Sequence, residues 1–214
     1  MIVKQEIQLI VRQLFQFKKI GRVLIFAIFP AILFYFIAIY ILQQQGFQTV
    51  EIIRDLAQSA DVSSFLGFIS NMGVWMWVSA GSICFFARFS DVKILDRKQR
   101  ELLLLLGFFS VLLAVDDFFM LHDRYINQKL MYAVYALLAS GLLVRNLKLI
   151  LAIDGFAFLL AVGTLGGSII TDLLQFVLKM PYSTQQLLEE CFKFIGAATW
   201  LYFCCKTAMF RKTD

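Results

Sequence analysis

Apolar and polar residues alternate along this chain in long blocks. Residues 1–20 place Val3, Ile7, Ile10, Leu14 and Phe17 at spacings of four, three, four and three, which is one face of a helix. Lys4, Gln5, Arg12 and Lys19 fall mainly away from that face. The pattern predicts an amphipathic helix lying on a membrane surface. Six longer apolar blocks follow, of which the first two are uncharged and the last four carry charged residues. Their spans are about 23–42, 65–87, 102–121, 127–146, 149–178 and 187–210. A crossing of the hydrocarbon core takes about 20 apolar residues. Val23–Leu42 is uncharged throughout, and Pro30 within it is tolerated because membranes accept a kink there. Between the first two spans, Phe47, Val50, Ile53 and Leu56 predict a second interfacial helix over residues 47–60.

The expected fold is therefore all-α: a polytopic six-transmembrane-helix bundle with an N-terminal amphipathic interfacial helix. Residues 1–20 form the surface helix, 21–210 a single membrane domain and 211–214 a cytoplasmic tail. Composition agrees. Hydrophobic residues are 60% of the 214 and charged residues only 16%, against roughly 45–50% apolar usage in soluble domains. A water-soluble globule and a disordered chain are both excluded.

The net charge of +5 would suggest nucleic acid in a soluble protein. Here it sorts by side. With the N-terminus cytoplasmic, fifteen of the twenty Lys and Arg fall in inner segments, four in outer ones, and Lys193 within a span. That asymmetry implies both termini cytoplasmic and removes the reason to invoke nucleic acid; with no organelle-targeting signal in the sequence, the expected location is the plasma membrane. Cys84, Cys191, Cys204 and Cys205 lie in apolar stretches without zinc-like spacing, so they read as core residues. No GxxxxGK[ST], HExxH or GxSxG string occurs.

The candidate chemistry lies in the charges within the spans. Asp116, Asp117, Asp172, Glu189, Glu190 and Lys193 all fall in the outer half, with His122 and Asp123 at the outer rim; Asp154 sits towards the inner side. Such groups are costly in hydrocarbon, so they face the bundle interior and pair or bind something. Three polar stripes follow the 3.6-residue period: Thr164, Ser168, Asp172, Gln175, Lys179; Gln186, Glu189, Lys193, Gly196, Trp200; and Asn71, Trp75, Ser79, Ser82. Together with an acidic third helix they predict one wet pocket open to the outside.

The ligand-binding set expected from this is Asp116, Asp117, Asp172, Glu189, Lys193 and Asn71. Glu189 and Lys193, four apart, could equally be a structural pair. The string from Asp116 to Asp123 invites a divalent metal held by Asp116, Asp117, His122, Asp123 and Glu190. A continuous helix argues against it, because His122 would point about 120° away from Asp116.

Three functions fit. The first is binding or transport of a cation, a proton or a small cationic solute. The second is metal-dependent hydrolysis of a lipid. The third is an accessory subunit of a membrane complex. The expected partners are the lipid bilayer, a small solute and, in the third case, a membrane partner subunit.

Overall fold

The computed structural model describes residues 21, 24–53, 60–63, 65–90, 96–174 and 181–211. The surface helix expected at 1–20 lies outside these residues, as does much of the interfacial segment after Ile53. The described residues are helical, with no strand among them. They divide into two compact units, residues 1–66 and 67–214.

In the first unit a π-helical turn, Leu24–Ile28, runs into α1, Phe29–Gln44. Pro30 sits in the first turn of α1. It lacks an N–H and its ring crowds the carbonyl four residues earlier, which accounts for the widened turn before it. No residue of α1 is buried within the unit. An all-apolar helix of this kind is suited to lipid on every side. A short helix α2, Thr49–Ile53, follows.

The second unit contains α3 (Phe68–Phe89), α4 (Arg97–Phe119), α5 (Leu121–Arg124), α6 (Gln128–Leu173) and α7 (Tyr182–Met209). Three described helices are long and apolar enough to cross a membrane: α3, α4 and α6. At about 1.5 Å per residue, α3 is roughly 33 Å long, close to the hydrocarbon thickness.

As one straight rod α6 would reach about 69 Å. It is instead a hairpin of two arms. Asn146 and Asp154 leave helical geometry, with φ/ψ of −119°/17° and −169°/82°. The side chains of Gln128 and Tyr132 both reach Asp172, at the other end of the element. Asp154 starts the second arm, its Oδ1 accepting the Ala157 N–H at 3.0 Å as an N-cap would. The first arm ends at Asn146, where the apolar segment expected at 127–146 ends, whereas the second begins at Asp154 and not at the expected 149; residues 175–178 of that segment lie outside the described residues.

The core forms where helices approach closely. Trp77, Phe158, Trp200 and Phe203 are almost fully buried. The Trp200 indole N–H donates to Ser110 Oγ at 2.9 Å, and its ring meets Phe109 edge-on with centroids 5.3 Å apart. Gly196 lets α7 sit against α6: a Cβ there would come within 2.7 Å of the Leu165 side chain and 3.1 Å of Thr164 Oγ1. Small residues at such crossings are what lipid-embedded packing requires, since lipid offers no hydrophobic drive between helices.

The two ends of the unit differ in charge. At one end Gln99 Nε2 donates to the carbonyls of Thr207 (2.8 Å) and Phe210 (3.0 Å), which lie at the end of α7. Glu101 pairs with Arg145 at the same end. Arg88, Arg97, Lys98 and Lys206 close the α3, α4 and α7 elements there. The opposite end gathers Phe119, Gln128, Asp172 and Gln185, with the acidic residues close by.

Candidate functional site

The acidic end is organised by one backbone torsion. Helix α4 stops at Met120, whose φ of 52° and ψ of 46° are left-handed. A non-glycine residue there carries about 1–2 kcal/mol of strain. The turn folds the chain back on itself, and α5 brings His122 onto the last turn of α4. The His122 N–H donates to Asp116 Oδ1 at 2.9 Å, and His122 Nδ1 lies 2.7 Å from Asp116 Oδ2. The continuous helix that would have kept His122 away from Asp116 is therefore not what forms.

Asp116 is buried and faces the first arm of α6, where the Tyr135 hydroxyl donates to its Oδ2 at 2.5 Å. Asp117, about 100° further round, faces α3 and α7. It accepts from the Trp77 indole N–H at 3.2 Å and pairs with Lys193 Nζ at 2.8 Å. Lys193 also reaches Glu190 at 3.4 Å. The Glu189–Lys193 pair suggested by their spacing is not formed: Glu189 Oε2 accepts from Gln186 instead, at 3.2 Å. Asp172 is buried and takes hydrogen bonds from Tyr132 Oη (2.6 Å) and from Gln128.

Two adjoining cavities lie around these groups. The outer one, about 640 Å³, is a polar vestibule bounded by Ser70, Asp123, Gln128, Asp172, Gln186 and Glu190, among others. The inner one, about 310 Å³, is mostly apolar, with Trp77, Phe109, Leu113, Phe158, Val162 and Ile169 in its wall. Asp117, His122, Glu189 and Lys193 line both. They form a charged ring between the two compartments.

Of the expected ligand set, Asp116, Asp117, Asp172, Glu189 and Lys193 are brought together. Asn71 is not. It is exposed and lines neither cavity, whereas Ser70 lines the vestibule. The stripe that includes Asn71, Trp75, Ser79 and Ser82 is exposed. Helix α3 turns its Trp77, Ala80, Gly81 and Cys84 face inward, and Gly81 allows close approach to Gly107 and Val111 of α4. The second-arm and α7 stripes do face the cavities through Ser168, Asp172, Gln186, Glu189 and Lys193; Gln175 and Lys179 lie outside the described residues.

The expected metal set does not form one donor cluster. Asp116 and His122 face each other, Asp117 and Glu190 face Lys193, and Asp123 Oδ1 lies 3.4 Å from His122 Nε2. Among the described residues no three such side chains converge on a common point. The hydrogen bond to Asp116 raises the His122 imidazole above its ordinary range. Burial opposes the shift, the charges of Asp116 and Asp123 reinforce it, and Lys193 opposes it.

Trp77, Gln128, Tyr132 and Tyr135 escaped the sequence reading. A signal was present. Gln128, Tyr132 and Tyr135 follow helical spacing on an otherwise apolar arm, a polar stripe matching the three already noted.

The chain matches the family described as a domain of unknown function, DUF8692, over residues 23–207, and it belongs to that family. No curated protein and no solved structure matches it.

Proposed function

We propose that this member of the DUF8692 family is a six-span plasma-membrane protein that binds, and passes on, a small cation or cationic solute from the outer side. One crossing by the segment from Leu24 to Gln44, one each by α3, α4 and α7, and two by the arms of α6 make six. Helix α7 belongs in that count although it carries Glu189, Glu190 and Lys193, because these side chains border the cavities. The basic end of the second unit would face the cytoplasm. Cysteines introduced at Arg124 and Lys148 test the orientation. A membrane-impermeant maleimide applied to intact cells should label the first and spare the second.

The observation that carries the binding reading is the charge balance of the vestibule. Five carboxylates line it against one lysine and one imidazole. A surplus of acceptors with low-dielectric walls concentrates cations at the mouth. Lys193 would act as a tethered counter-ion that an incoming cation displaces from Asp117. The test is calorimetric titration of the purified protein with tetramethylammonium and with potassium. Wild type should bind one of them, and the Asp116→Asn, Asp117→Asn double variant should bind neither. Unchanged binding by the folded double variant would overturn the reading.

A second reading rests on the Asp116–His122 pair. A carboxylate that grips Nδ1 would orient the imidazole so that Nε2, now 3.4 Å from the exposed Asp123, acts as a base on a water that takes the place of that contact. Hydrolysis of an outer-leaflet lipid is the reaction it would serve. Release of fatty acid or headgroup from vesicle lipids by wild type, lost in His122→Gln, would favour it over simple binding.

A further inference from the structure

The compartment behind the charged ring narrows the ligand class. A bare inorganic cation is served by the vestibule alone, where carboxylates, amides and hydroxyls replace its water. It gains little from the chamber beyond, whose exposed wall is mostly apolar although Tyr132, Tyr135, Ser140 and Ser168 also line it. The chamber nonetheless abuts the vestibule, since Asp117, His122, Glu189 and Lys193 line both. At about 310 Å³ it is at the lower end of the volumes that take small organic ligands. Trp77 joins the two environments: it lines the chamber and donates to Asp117 at 3.2 Å.

We infer that the ligand is an amphipathic organic cation, with its ammonium at the ring beside Asp117 and Glu189 and a short hydrocarbon body in the apolar chamber. This deepens the proposed function and rests on it. The head displaces Lys193 Nζ from Asp117, and Glu190, 3.4 Å from that nitrogen, retains the lysine. The body removes apolar surface from water against Phe109, Leu113, Phe158 and Val162.

The inference has a quantitative signature. Each methylene moved from water into an apolar site strengthens binding about three- to fourfold. Alkyltrimethylammonium ions from methyl to hexyl are soluble probes of constant charge. They would be titrated calorimetrically into the full chain in lipid nanodiscs, with empty nanodiscs subtracted to remove partitioning. Affinity should climb about three- to fourfold per methylene and stop climbing when the chamber is full. Ala139 lines the chamber and is half-buried. Ala139→Phe should stop the climb at a shorter chain, and the smaller Ala139→Leu serves if the phenylalanine variant does not fold. Asp117→Asn should weaken every member of the series by a similar factor.

Binding that is independent of chain length would overturn this inference and leave the cation-site reading intact. Absence of binding by any alkylammonium ion, with potassium bound, would do the same. Binding of no cation at all would overturn both. If neutral n-alkanols of equal length bound as tightly and Asp117→Asn had no effect, the chamber would be an apolar pocket without a cationic partner, and the inference would fail.

Discussion

Replacing Asp116 by asparagine tests whether the fold-back at Met120 builds the site. One carboxylate takes three donors: Tyr135 Oη at 2.5 Å, His122 Nδ1 at 2.7 Å and the His122 N–H at 2.9 Å. The Asp116 side chain is 5% exposed and that of His122 16%, so solvent screens the contact little. An amide keeps one acceptor oxygen for the backbone N–H. Its NH2 then confronts Nδ1 and the tyrosine hydroxyl. The hydroxyl can rotate to accept, but the imidazole must change tautomer and loses a charged partner. Hydrogen bonds to charged groups contribute about 1.5–3 kcal/mol each, so the expected loss is about 2–3 kcal/mol. The sign with pH follows from the raised imidazole. A group whose folded pKa lies above its unfolded value adds stability that is fully present below about pH 6.5. That stability is lost as pH rises through the folded pKa. The gap between wild type and Asp116→Asn should therefore be widest in mild acid and narrow towards alkaline pH, leaving the part due to the neutral hydrogen bond. The chain has one histidine, so selective isotopic labelling gives a single imidazole signal to titrate by NMR. Wild type should titrate above the ordinary histidine range. The variant should titrate below wild type, because burial remains while the Asp116 charge and its hydrogen bond are gone, with Asp123 and Lys193 left to oppose one another. Identical midpoints in the two proteins would refute the reasoning, since the 2.7 Å contact could not then hold in the membrane.

The other predictions concern packing, pairing and the hinge. Lys193→Met leaves Asp117, 9% exposed, with Trp77 but no cation, and should cost about 3 kcal/mol. Adding Asp117→Asn should recover part of that, and a double-mutant coupling below about 0.5 kcal/mol in detergent unfolding would show the pair to be independent. Gly196→Val should destabilise by about 1–3 kcal/mol through overpacking against Leu165 and Thr164, read as a fall in thermal midpoint. Asp154→Ala should cost about 1 kcal/mol by removing the acceptor for the Ala157 N–H, and hydrogen exchange should quicken first in the opening turn of the second arm.

Much of the membrane architecture is legible in the sequence because it depends on local quantities. Hydropathy over about 20 residues locates the apolar segments, and Lys and Arg counts sort their ends. Helical periodicity, equally local, identified the inward faces of the second arm of α6 and of α7 before any contact was known. It failed for Asn71 on α3. The small-residue face of that helix packs inward against α4, and nothing along α3 alone ranks a polar stripe against a glycine–alanine stripe. The hairpin in α6 was legible as two apolar blocks, and Asp154, an expected inner-side acid, proved to be the cap that starts the second of them.

The identity of each partner was decided only by the tertiary structure. Lys193 had Glu189 and Glu190 as neighbours on its own helix, yet its shortest ion pair is with Asp117 of α4, at 2.8 Å. That choice depends on the distance between helices, which small residues such as Gly196 set and no spacing rule encodes. His122 depended on a single torsion. With Met120 helical it would point away from Asp116; with Met120 left-handed it joins the buried carboxylate and the rim of both cavities. A left-handed methionine has no sequence signal, because the strain at that residue is offset by contacts made elsewhere. The sequence thus determined that the charges would gather towards one end of the helices. Which charges meet, and the apolar chamber behind them, follow from how the helices close on one another.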